Sequence, residues 1–502
     1  MKPPFTPVTT DPPPSATKRS TIPLYKIDCN QAERPYDLKE LVRMFLPPSE
    51  YQVLEEGTEW EVLPEDTLIR LPDGIIEKDD CKRWLWQELS RHTGKTPEWG
   101  ILTGVRPVKL FGELVHRTGS PEGAAETLKE RYYLDPEKIR LLAETWQVQQ
   151  ETMGEGDPRK VAVYIGIPFC PTRCLYCSFT SNQGKPEAIA RYLEALKKEI
   201  AFAGAETRRC GLIVESVYMG GGTPTTLTAE QLADLLAHTR ASFDLSQCRE
   251  FTVESGRPDT ITEEKLQAIL DSGAERISIN PQTMKQETLD RIGRNHTPEE
   301  IRQAFQMAKN VAMPVVNADL IAGLPGEEPE DFVNSLQEML DLRPANITVH
   351  TLAVKRASRL IEQEKDYNYH QGNKVKRMLE AGSRMLAEAG YRPYYLYRQK
   401  QMTGNFENVG YALPGTENLY NMKIMEENQT IIALGAGGIS KVWYPAENRL
   451  ERVPNVSNYE IYIERLEEMM DRKRKGIFAD AAGTAPAATT EAKAANAAEE
   501  ES

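Results

Sequence analysis

Between residues 160 and 352 the sequence alternates short apolar runs with amphipathic stretches, and this rhythm constrains the fold more than any other feature. Six runs read as strands, at 161–168, 213–219, 251–255, 276–280, 316–323 and 347–352. The segments between them, such as EEKLQAILDSG and PEDFVNSLQEMLD, place apolar residues at helical spacing. This alternation predicts parallel βα units, and therefore an α/β fold with a full or partial (β/α) barrel. In such barrels the chemistry lies at the carboxyl ends of the strands.

The flanking segments suggest further divisions of the chain. Residues 1–21 are rich in Pro, Thr and Ser, and we expect a disordered lead-in. We predict an N-terminal α+β domain over 22–155, the barrel over 156–365, and a helix-and-strand region over 366–478 that packs over the barrel mouth. Residues 479–502 form an Ala- and Glu-rich tail without Leu, Ile, Val or aromatic residues, which we expect to be disordered and dispensable.

Composition excludes several classes of function. With 61 Lys+Arg against 75 Asp+Glu, the net charge is −14, which argues against nucleic-acid binding through bulk charge. No apolar run reaches the roughly 18 residues of a membrane span, and the N-terminus lacks the apolar region of a secretion signal. We therefore expect a cytosolic protein.

Three of the seven cysteines lie directly after the first predicted barrel strand. Cys170, Cys174 and Cys177 occur in IPFCPTRCLYCSF with the spacing C-x3-C-x2-C. A structural zinc site generally needs four protein ligands, and no fourth Cys or His lies nearby. Three thiolates instead suit three irons of a [4Fe–4S] cluster and leave the fourth iron open for a substrate or cofactor. The isolated cysteines, which we interpret as structural, are Cys29, Cys81, Cys210 and Cys248.

This spacing after a barrel strand resembles that of the radical S-adenosylmethionine (SAM) enzymes. The resemblance implies that SAM binds the open iron and that one electron cleaves it to methionine and a 5′-deoxyadenosyl radical. After the second strand, MGGGTPTTL places Gly221, Gly222 and Thr223 where the family binds the methionyl amino group.

Further motifs follow in the order of the oxygen-independent coproporphyrinogen III oxidases, or coproporphyrinogen dehydrogenases. They are TVES, RISINPQTM, RIGRNH and NADLIAGLPGE, and the sequence before the first cysteine is similar to YxHIPFC. The resemblance implies that ten residues surround SAM: Tyr164, Tyr176, Gly221, Gly222, Thr223, Glu254, Gln282, Arg294, Asp319 and Ala353.

The segments WGILTGVRPVKL and YRPYYLYRQKQMTGNFENVGYA look like the longer, HemZ-type members of this group. Two positions depart from the branch: Gly166 replaces its usual His before IPFC, and Phe179 replaces a further Cys of the authentic oxidase. The HNxxYW string of the related haem chaperones does not occur.

The resemblance implies oxidative decarboxylation of coproporphyrinogen III propionates to vinyl groups, which gives protoporphyrinogen IX, with an electron donor such as flavodoxin or ferredoxin. Two alternatives stay open. The first is a haem- or porphyrin-binding protein with this fold. The second is a radical SAM enzyme with another substrate such as RNA, which the acidic balance disfavours.

The remaining segments are less specific. Tyr394, Tyr395 and Tyr397 either line a tetrapyrrole pocket or pack between domains. The segment 433–441, ALGAGGISK, is either a tight backbone approach or a simple connection. The candidates to hold substrate propionates are Arg398, Lys400 and Lys355. The histidines that we expect to be solvated are His92, His116 and His238.

Overall fold

A computed structural model describes residues 24–30, 32, 35–54, 62–154, 156–177, 182–353, 371–399 and 403–479. The lead-in, the tail beyond 479, Phe179, Lys355 and Lys400 lie outside the described residues, so the predictions that concern them stay predictions. The chain divides into two compact units, Met1–Lys95 and Thr96–Ser502.

The first unit contains a small parallel sheet. Its strands pair in the order β2-β1-β3 and are β1 (Tyr25–Asp28), β2 (Tyr51–Val53) and β3 (Thr67–Arg70). Its helices are α1 (Pro35–Phe45) and α2 (Lys78–Thr93). Cys29 and Cys81 are buried in the apolar core of this unit, and burial raises the pKa of Cys29 to about 12. Both thiols therefore pack as small apolar groups, in keeping with a structural role.

The second unit begins with three helices that the sequence suggested were part of the N-terminal domain. They are α3 (Pro107–Thr118), α4 (Pro121–Tyr132) and α5 (Pro136–Met153). Buried hydrogen bonds join this segment to distant residues: Trp99 Nε1 donates to Glu407 at 2.8 Å, and Gln149 Nε2 donates to the Tyr394 carbonyl at 3.2 Å. Because of such contacts the chain divides after Lys95, whereas we expected the boundary at residue 155.

All six predicted barrel strands form and run parallel, which confirms the α/β fold. They are β4 (Lys160–Ile167), β5 (Ile213–Gly221), β6 (Glu250–Glu254), β7 (Arg276–Ser278), β8 (Val315–Ala322) and β9 (Asn346–Thr351). Within the described part of the chain β4 and β9 do not pair with each other, so the barrel is partial.

Amphipathic helices cover the outer face of the parallel strands. They are α6 (Pro186–Arg209), α7 (Ala229–Ser242), α8 (Glu263–Asp271), α9 (Gln286–Arg291), α10 (Pro298–Asn310) and α11 (Pro329–Leu342). Thr228 and Thr297 begin two of them with capping boxes. Among the described residues, no helix is both long and apolar enough to cross a membrane.

The C-terminal strands extend the sheet at both edges, where we expected a region packed over the barrel mouth. They are β10 (Arg392–Tyr397), β11 (Asn408–Ala412), β12 (Thr430–Leu434), β13 (Ile439–Tyr444) and β14 (Arg449–Pro454). Strand β11 pairs antiparallel with β9, and β12 pairs parallel with β4, so both edges of the parallel sheet gain hydrogen-bond partners. The last helices are α12 (Gly372–Glu388), α13 (Leu419–Glu426), α14 (Tyr459–Glu464) and α15 (Leu466–Gly476).

Candidate functional site

The cysteine loop follows β4 and is fixed at several points. The Cys170 N–H donates to the Asn182 carbonyl at 3.0 Å, and the Cys177 N–H donates to the Cys174 carbonyl at 3.2 Å. Burial raises the pKa of the Cys170 thiol, and the charges of Cys177 and Cys174 raise it further. The three thiols therefore lie close enough to act on one another.

The arrangement differs from a site for a single metal ion. The described residues contain no group of three or more His, Cys, Asp or Glu side chains placed to hold an ion. Cysteine thiolates are the ligands that hold [4Fe–4S] clusters in proteins, so the cysteine loop supplies the donor chemistry that such a cluster needs.

The Gly-rich turn after β5 pairs directly with the cysteine loop. The Gly222 N–H donates to the Ile167 carbonyl at 2.7 Å, and the Thr223 N–H donates to the Phe169 carbonyl at 2.8 Å. A Cβ atom on Gly222 would lie 2.5 Å from the Phe169 oxygen and 2.9 Å from the Cys170 sulfur. Glycine is therefore required for this close approach.

Two carboxylates face the space beside this turn. Burial raises the pKa of Glu254 to about 8, and the charge of Asp319 acts in the same direction, while a hydrogen bond from the Gly221 backbone and the charge of Arg294 oppose it. A positively charged ligand would favour the ionised form of Glu254. The space beside this turn therefore favours a cation such as an ammonium group.

Gln282 lies beyond β7, and its backbone has a conformation that residues other than glycine rarely adopt. Its φ is +69°, and it is only 6% exposed. Its N–H donates to the Asp319 carbonyl at 2.9 Å, and its carbonyl accepts from the Ile321 N–H at 2.9 Å. Backbone strain of this kind, held in place by neighbouring strands, is common at ligand sites.

Arg294 connects the segment after α9 to the cysteine loop. Its Nη2 and Nε atoms donate to the Tyr176 hydroxyl at 3.0 and 3.3 Å, and Nη1 donates to the Asn280 carbonyl at 2.8 Å. Tyr176 stands between Cys174 and Cys177. Two residues predicted to surround SAM are therefore joined to each other and to the cluster loop.

Half-buried aromatic side chains on β4, β5 and β10 lie near these groups. The rings of Tyr164 and Tyr218 are 6.3 Å apart and nearly parallel. Burial raises the pKa of both tyrosines, and the charge of Glu254 adds to it. Burial likewise raises the pKa of Tyr397, with a contribution from Asp319. A Cβ atom on Gly220 would lie 2.7 Å from Glu254 Oε2 and 2.7 Å from the Tyr218 ring, so this carboxylate and this ring lie side by side.

Ala353 and His350 complete this edge of the sheet. Ala353 follows β9 and is half-buried, at the carboxyl end where we predicted it. His350 was missed: its Nε2 lies 3.6 Å from Asp319 Oδ2, and its Nδ1 lies 3.4 Å from the Tyr397 hydroxyl. Its position near the carboxyl end of the sixth strand could have identified it as a candidate site residue.

A second missed residue is Arg257, which contacts the cysteine loop. Its Nη1 donates to Thr172 Oγ1 at 3.0 Å and lies 3.8 Å from Cys174 Sγ. Asp259 accepts from its Nε and Nη2 atoms at 2.9 and 2.8 Å. The feature of the sequence that could have identified it was again its position, since Arg257 lies three residues after Glu254, where β6 ends.

The prediction that Arg398 binds a substrate propionate is wrong. Its side chain is buried, and its Nη1 and Nη2 atoms donate to the carbonyls of Leu102 and Asn405 at 2.6 and 2.8 Å. Its guanidinium carbon lies 4.8 Å from the centre of the Trp99 ring. The Arg398 side chain thus packs between these segments of the protein.

Contacts also decide the role of two tyrosines and the expected exposure of three histidines. Tyr394 and Tyr395 belong to a buried apolar cluster with Val148 and Met153, so they pack and do not line a pocket. His92 and His116 are exposed as expected, whereas His238 is half-buried and its Nε2 lies 2.8 Å from the Lys197 carbonyl.

The segment 433–441 is a tight backbone approach. The Gly435 N–H donates to Glu199 Oε2 at 2.7 Å, and a Cβ atom on Gly435 would lie 2.6 Å from the Gly166 carbonyl. This turn therefore packs directly against the end of β4.

Comparison with known proteins agrees with this geometry. Residues 164–339 match the Radical SAM superfamily, and the fold and the cysteine loop define a radical SAM protein. The chain is 43% identical over 392 residues to the oxygen-independent coproporphyrinogen-III oxidase-like protein HemZ of Bacillus subtilis (strain 168), covering 77% of this chain and 78% of the relative. The chain therefore belongs to the HemZ-like family within that superfamily.

A second curated protein and a solved structure are also similar to this chain. The heme chaperone HemW of Escherichia coli (strain K12) is 28% identical over 290 residues, covering 57% of this chain and 71% of the relative. The solved structure of coproporphyrinogen III oxidase (HemN) from Escherichia coli shares the fold, with a TM-score of 0.50 and 21% identity, over 65% of this chain and 73% of that one.

The superfamily uses a [4Fe–4S] cluster and SAM, and the residues present fit both. The three thiols and the Gly222 contact provide the cluster side. On the SAM side, Ser255 Oγ, Ser278 Oγ and Asn280 Oδ1 are buried without hydrogen-bond partners in the described structure. They lie at or just beyond the ends of β6 and β7. Buried polar atoms rarely stay unsatisfied, so a polar ligand suits this edge of the sheet.

Proposed function

We propose that the chain catalyses the oxygen-independent oxidative decarboxylation of coproporphyrinogen III propionates to vinyl groups, which yields protoporphyrinogen IX. Each propionate loses one hydrogen atom from its β-carbon, then CO₂ and one electron. The identity to the coproporphyrinogen-III oxidase-like relative supports this reaction class. When bound, the cluster and SAM supply the radical that abstracts the hydrogen atom.

In this proposal the predicted residues hold SAM at the carboxyl edge of the strands. The three cysteine thiolates bind the cluster, and the backbone of 221–223 faces the methionyl amino group. Glu254 pairs with that ammonium group, and the raised pKa of Glu254 supports the assignment because a cation there is favoured. Gln282 and Asp319 face the ribose, and Ala353 faces the adenine.

The observation that carries the proposal is the group of tyrosine rings beside this edge of the sheet. The rings of Tyr164 and Tyr218 stack with each other and with Tyr420, and the exposed parts of Tyr164, Tyr218 and Tyr397 offer an aromatic surface to a macrocycle. The nearby carboxylate of Asp319 repels a substrate carboxylate, so a propionate enters with its charged end turned away. That orientation brings its β-carbon towards the SAM side, and orientation of this kind is a major source of rate.

The proposal includes a low-potential electron donor of the flavodoxin or ferredoxin type and a location in the cytosol. The isolated cysteines support a reducing compartment, since Cys29, Cys81, Cys210 and Cys248 form no disulfide bond. The test of the donor is reduction of the reconstituted protein by each candidate under anaerobic conditions.

The central experiment incubates the reconstituted protein anaerobically with SAM, reductant and coproporphyrinogen III. We expect 5′-deoxyadenosine to form faster with the tetrapyrrole than without it, and vinyl-bearing products to appear by mass spectrometry. Tight haem binding without substrate-dependent SAM cleavage would instead identify a binding protein, an outcome that the similarity to HemW makes worth measuring. Cleavage stimulated only by another substrate would contradict the assigned reaction.

A further inference from the structure

We propose that the positive charge of Arg257 raises the reduction potential of the [4Fe–4S] cluster. Asp259 is the positioning residue that holds this charge beside the Cys174 sulfur. The proposal goes beyond the assigned reaction, because it concerns the cluster alone and holds for any substrate.

The geometry fixes the guanidinium from two sides. Asp259 holds it through two hydrogen bonds of 2.9 and 2.8 Å, which is the strong bidentate arrangement. On the opposite side its Nη1 donates to Thr172 Oγ1 at 3.0 Å and points to Cys174 Sγ at 3.8 Å. Asp259 therefore orients one N–H of Arg257 towards the cluster loop.

Burial shows that this pair is more than a surface ion pair. The side chains of Arg257 and Asp259 are 4% and 19% exposed. Burying a charged pair costs desolvation energy, and such pairs are weak contributors to stability. The N–H directed at Cys174 gives this pair a role besides stability.

The other charged groups near the pair leave its surroundings positive. Arg294 is buried next to Tyr176 on the same loop, and the charges of Arg257 and Arg294 act on each other. Burial and the charge of Arg294 lower the pKa of His296 to about 4, so this ring is neutral at neutral pH. Arg294 also acts on Glu254, but the pKa of that carboxyl is raised to about 8, so without SAM it is mostly uncharged at neutral pH. The balance among these groups is therefore two arginines against the carboxylate of Asp259.

A positive environment favours the reduced cluster. The cluster gains one negative charge when it accepts one electron, and net charge and hydrogen bonds to the sulfurs set the potentials of such clusters. In a buried site a nearby cation acts strongly because screening is weak. Arg257 thus favours uptake of the electron that SAM cleavage requires.

The test is a redox titration with dithionite as reductant, followed by electron paramagnetic resonance, on protein reconstituted without substrate. In Arg257→Gln we expect the equilibrium constant for reduction to fall about tenfold, a shift of about 59 mV to more negative potential for a one-electron couple. In Asp259→Asn the arginine charge is no longer neutralised, so the potential should shift in the opposite direction. Arg257→Lys keeps the charge and should stay near the unmodified protein.

The matched control is Arg240→Gln. Arg240 is exposed on α7 and donates to the Ser272 carbonyl at 2.8 Å, at the opposite end of the sheet from the cysteine loop. It should leave the potential unchanged. Iron and sulfide content is measured first for every variant.

Three results would overturn the proposal. One is an unchanged potential in fully loaded Arg257→Gln. Another is a shift in Arg257→Lys as large as that in Arg257→Gln, because the charge would then not be the cause. If Arg257→Gln fails to hold the cluster, Asp259→Asn decides, and a shift that is absent or negative overturns the role of the charge.

Discussion

Arg294 donates two hydrogen bonds to the hydroxyl of Tyr176, at 3.0 and 3.3 Å, and so fastens the cysteine loop to the segment after α9. We predict that Tyr176→Phe leaves two N–H groups of a buried guanidinium without this partner. The free energy of unfolding should fall by about 1–3 kcal/mol, and the cluster should be lost faster in air. Denaturant titration and iron release followed by absorbance measure the two effects.

Tyr391→Phe is the matched control for this change. The Tyr391 hydroxyl donates to the Pro344 carbonyl at 2.5 Å and is buried at the other end of the strands. Its removal should cost similar stability and leave cluster lifetime unchanged. Equal iron release from both variants would mean that the Arg294 contact does not hold the loop.

Gly222→Ala should reduce the iron content of the reconstituted protein. The added methyl group would lie 2.9 Å from the Cys170 sulfur and 2.5 Å from the Phe169 oxygen, so the cysteine loop must move. Gly104→Ala is the control, since no atom lies within 4 Å of its added carbon. Iron and sulfide analysis decides, and a full four irons per chain in Gly222→Ala would contradict the close approach.

The raised pKa of Glu254 predicts a pH-dependent stability without SAM. The folded-state pKa is about 8, above the ordinary value of about 4.3, so the folded state binds the extra proton between these values. Stability therefore falls as pH rises towards 8, by at most about 1.4 kcal/mol per pH unit from this group. Glu254→Gln should lack this component.

The measurement compares thermal unfolding of Glu254→Gln and the unmodified protein from pH 6 to pH 9. The variant should gain relative stability as pH rises, and SAM should reduce the difference by pairing with the ionised carboxylate. Parallel pH profiles of the two proteins would contradict the environment assigned to Glu254.

We predict that replacing Gln282 changes the stability of the protein and its affinity for SAM separately. At a φ of +69° alanine is strained and glycine is not, so Gln282→Gly should be more stable than Gln282→Ala by roughly 1–2 kcal/mol. Both variants should bind SAM more weakly by calorimetry. The control is Ala312→Gly at a φ of +54°, which should affect stability alone. Unchanged SAM affinity in both Gln282 variants would remove this residue from the site.

The sequence was sufficient for the parallel strands and for the cysteine and glycine turns, because these depend on local pattern and on position after a strand. Contacts between segments far apart in the chain could not be predicted from the sequence. Arg398 is buried against Trp99, about three hundred positions earlier, and Arg257 reaches Cys174 across 83 positions. Strand β12 likewise pairs with β4 although helices and seven strands, β5 to β11, separate them along the chain. Such contacts arise from tertiary packing, which overrides local propensity.

Deuterium transfer tests the proposed reaction most directly. Coproporphyrinogen III labelled with deuterium at the β-carbons of its propionates is incubated anaerobically with the reconstituted protein, SAM and reductant. We predict that 5′-deoxyadenosine carries deuterium by mass spectrometry and that each labelled molecule accompanies the loss of one CO₂. Unlabelled 5′-deoxyadenosine, formed at the same rate without the tetrapyrrole, would contradict the assignment.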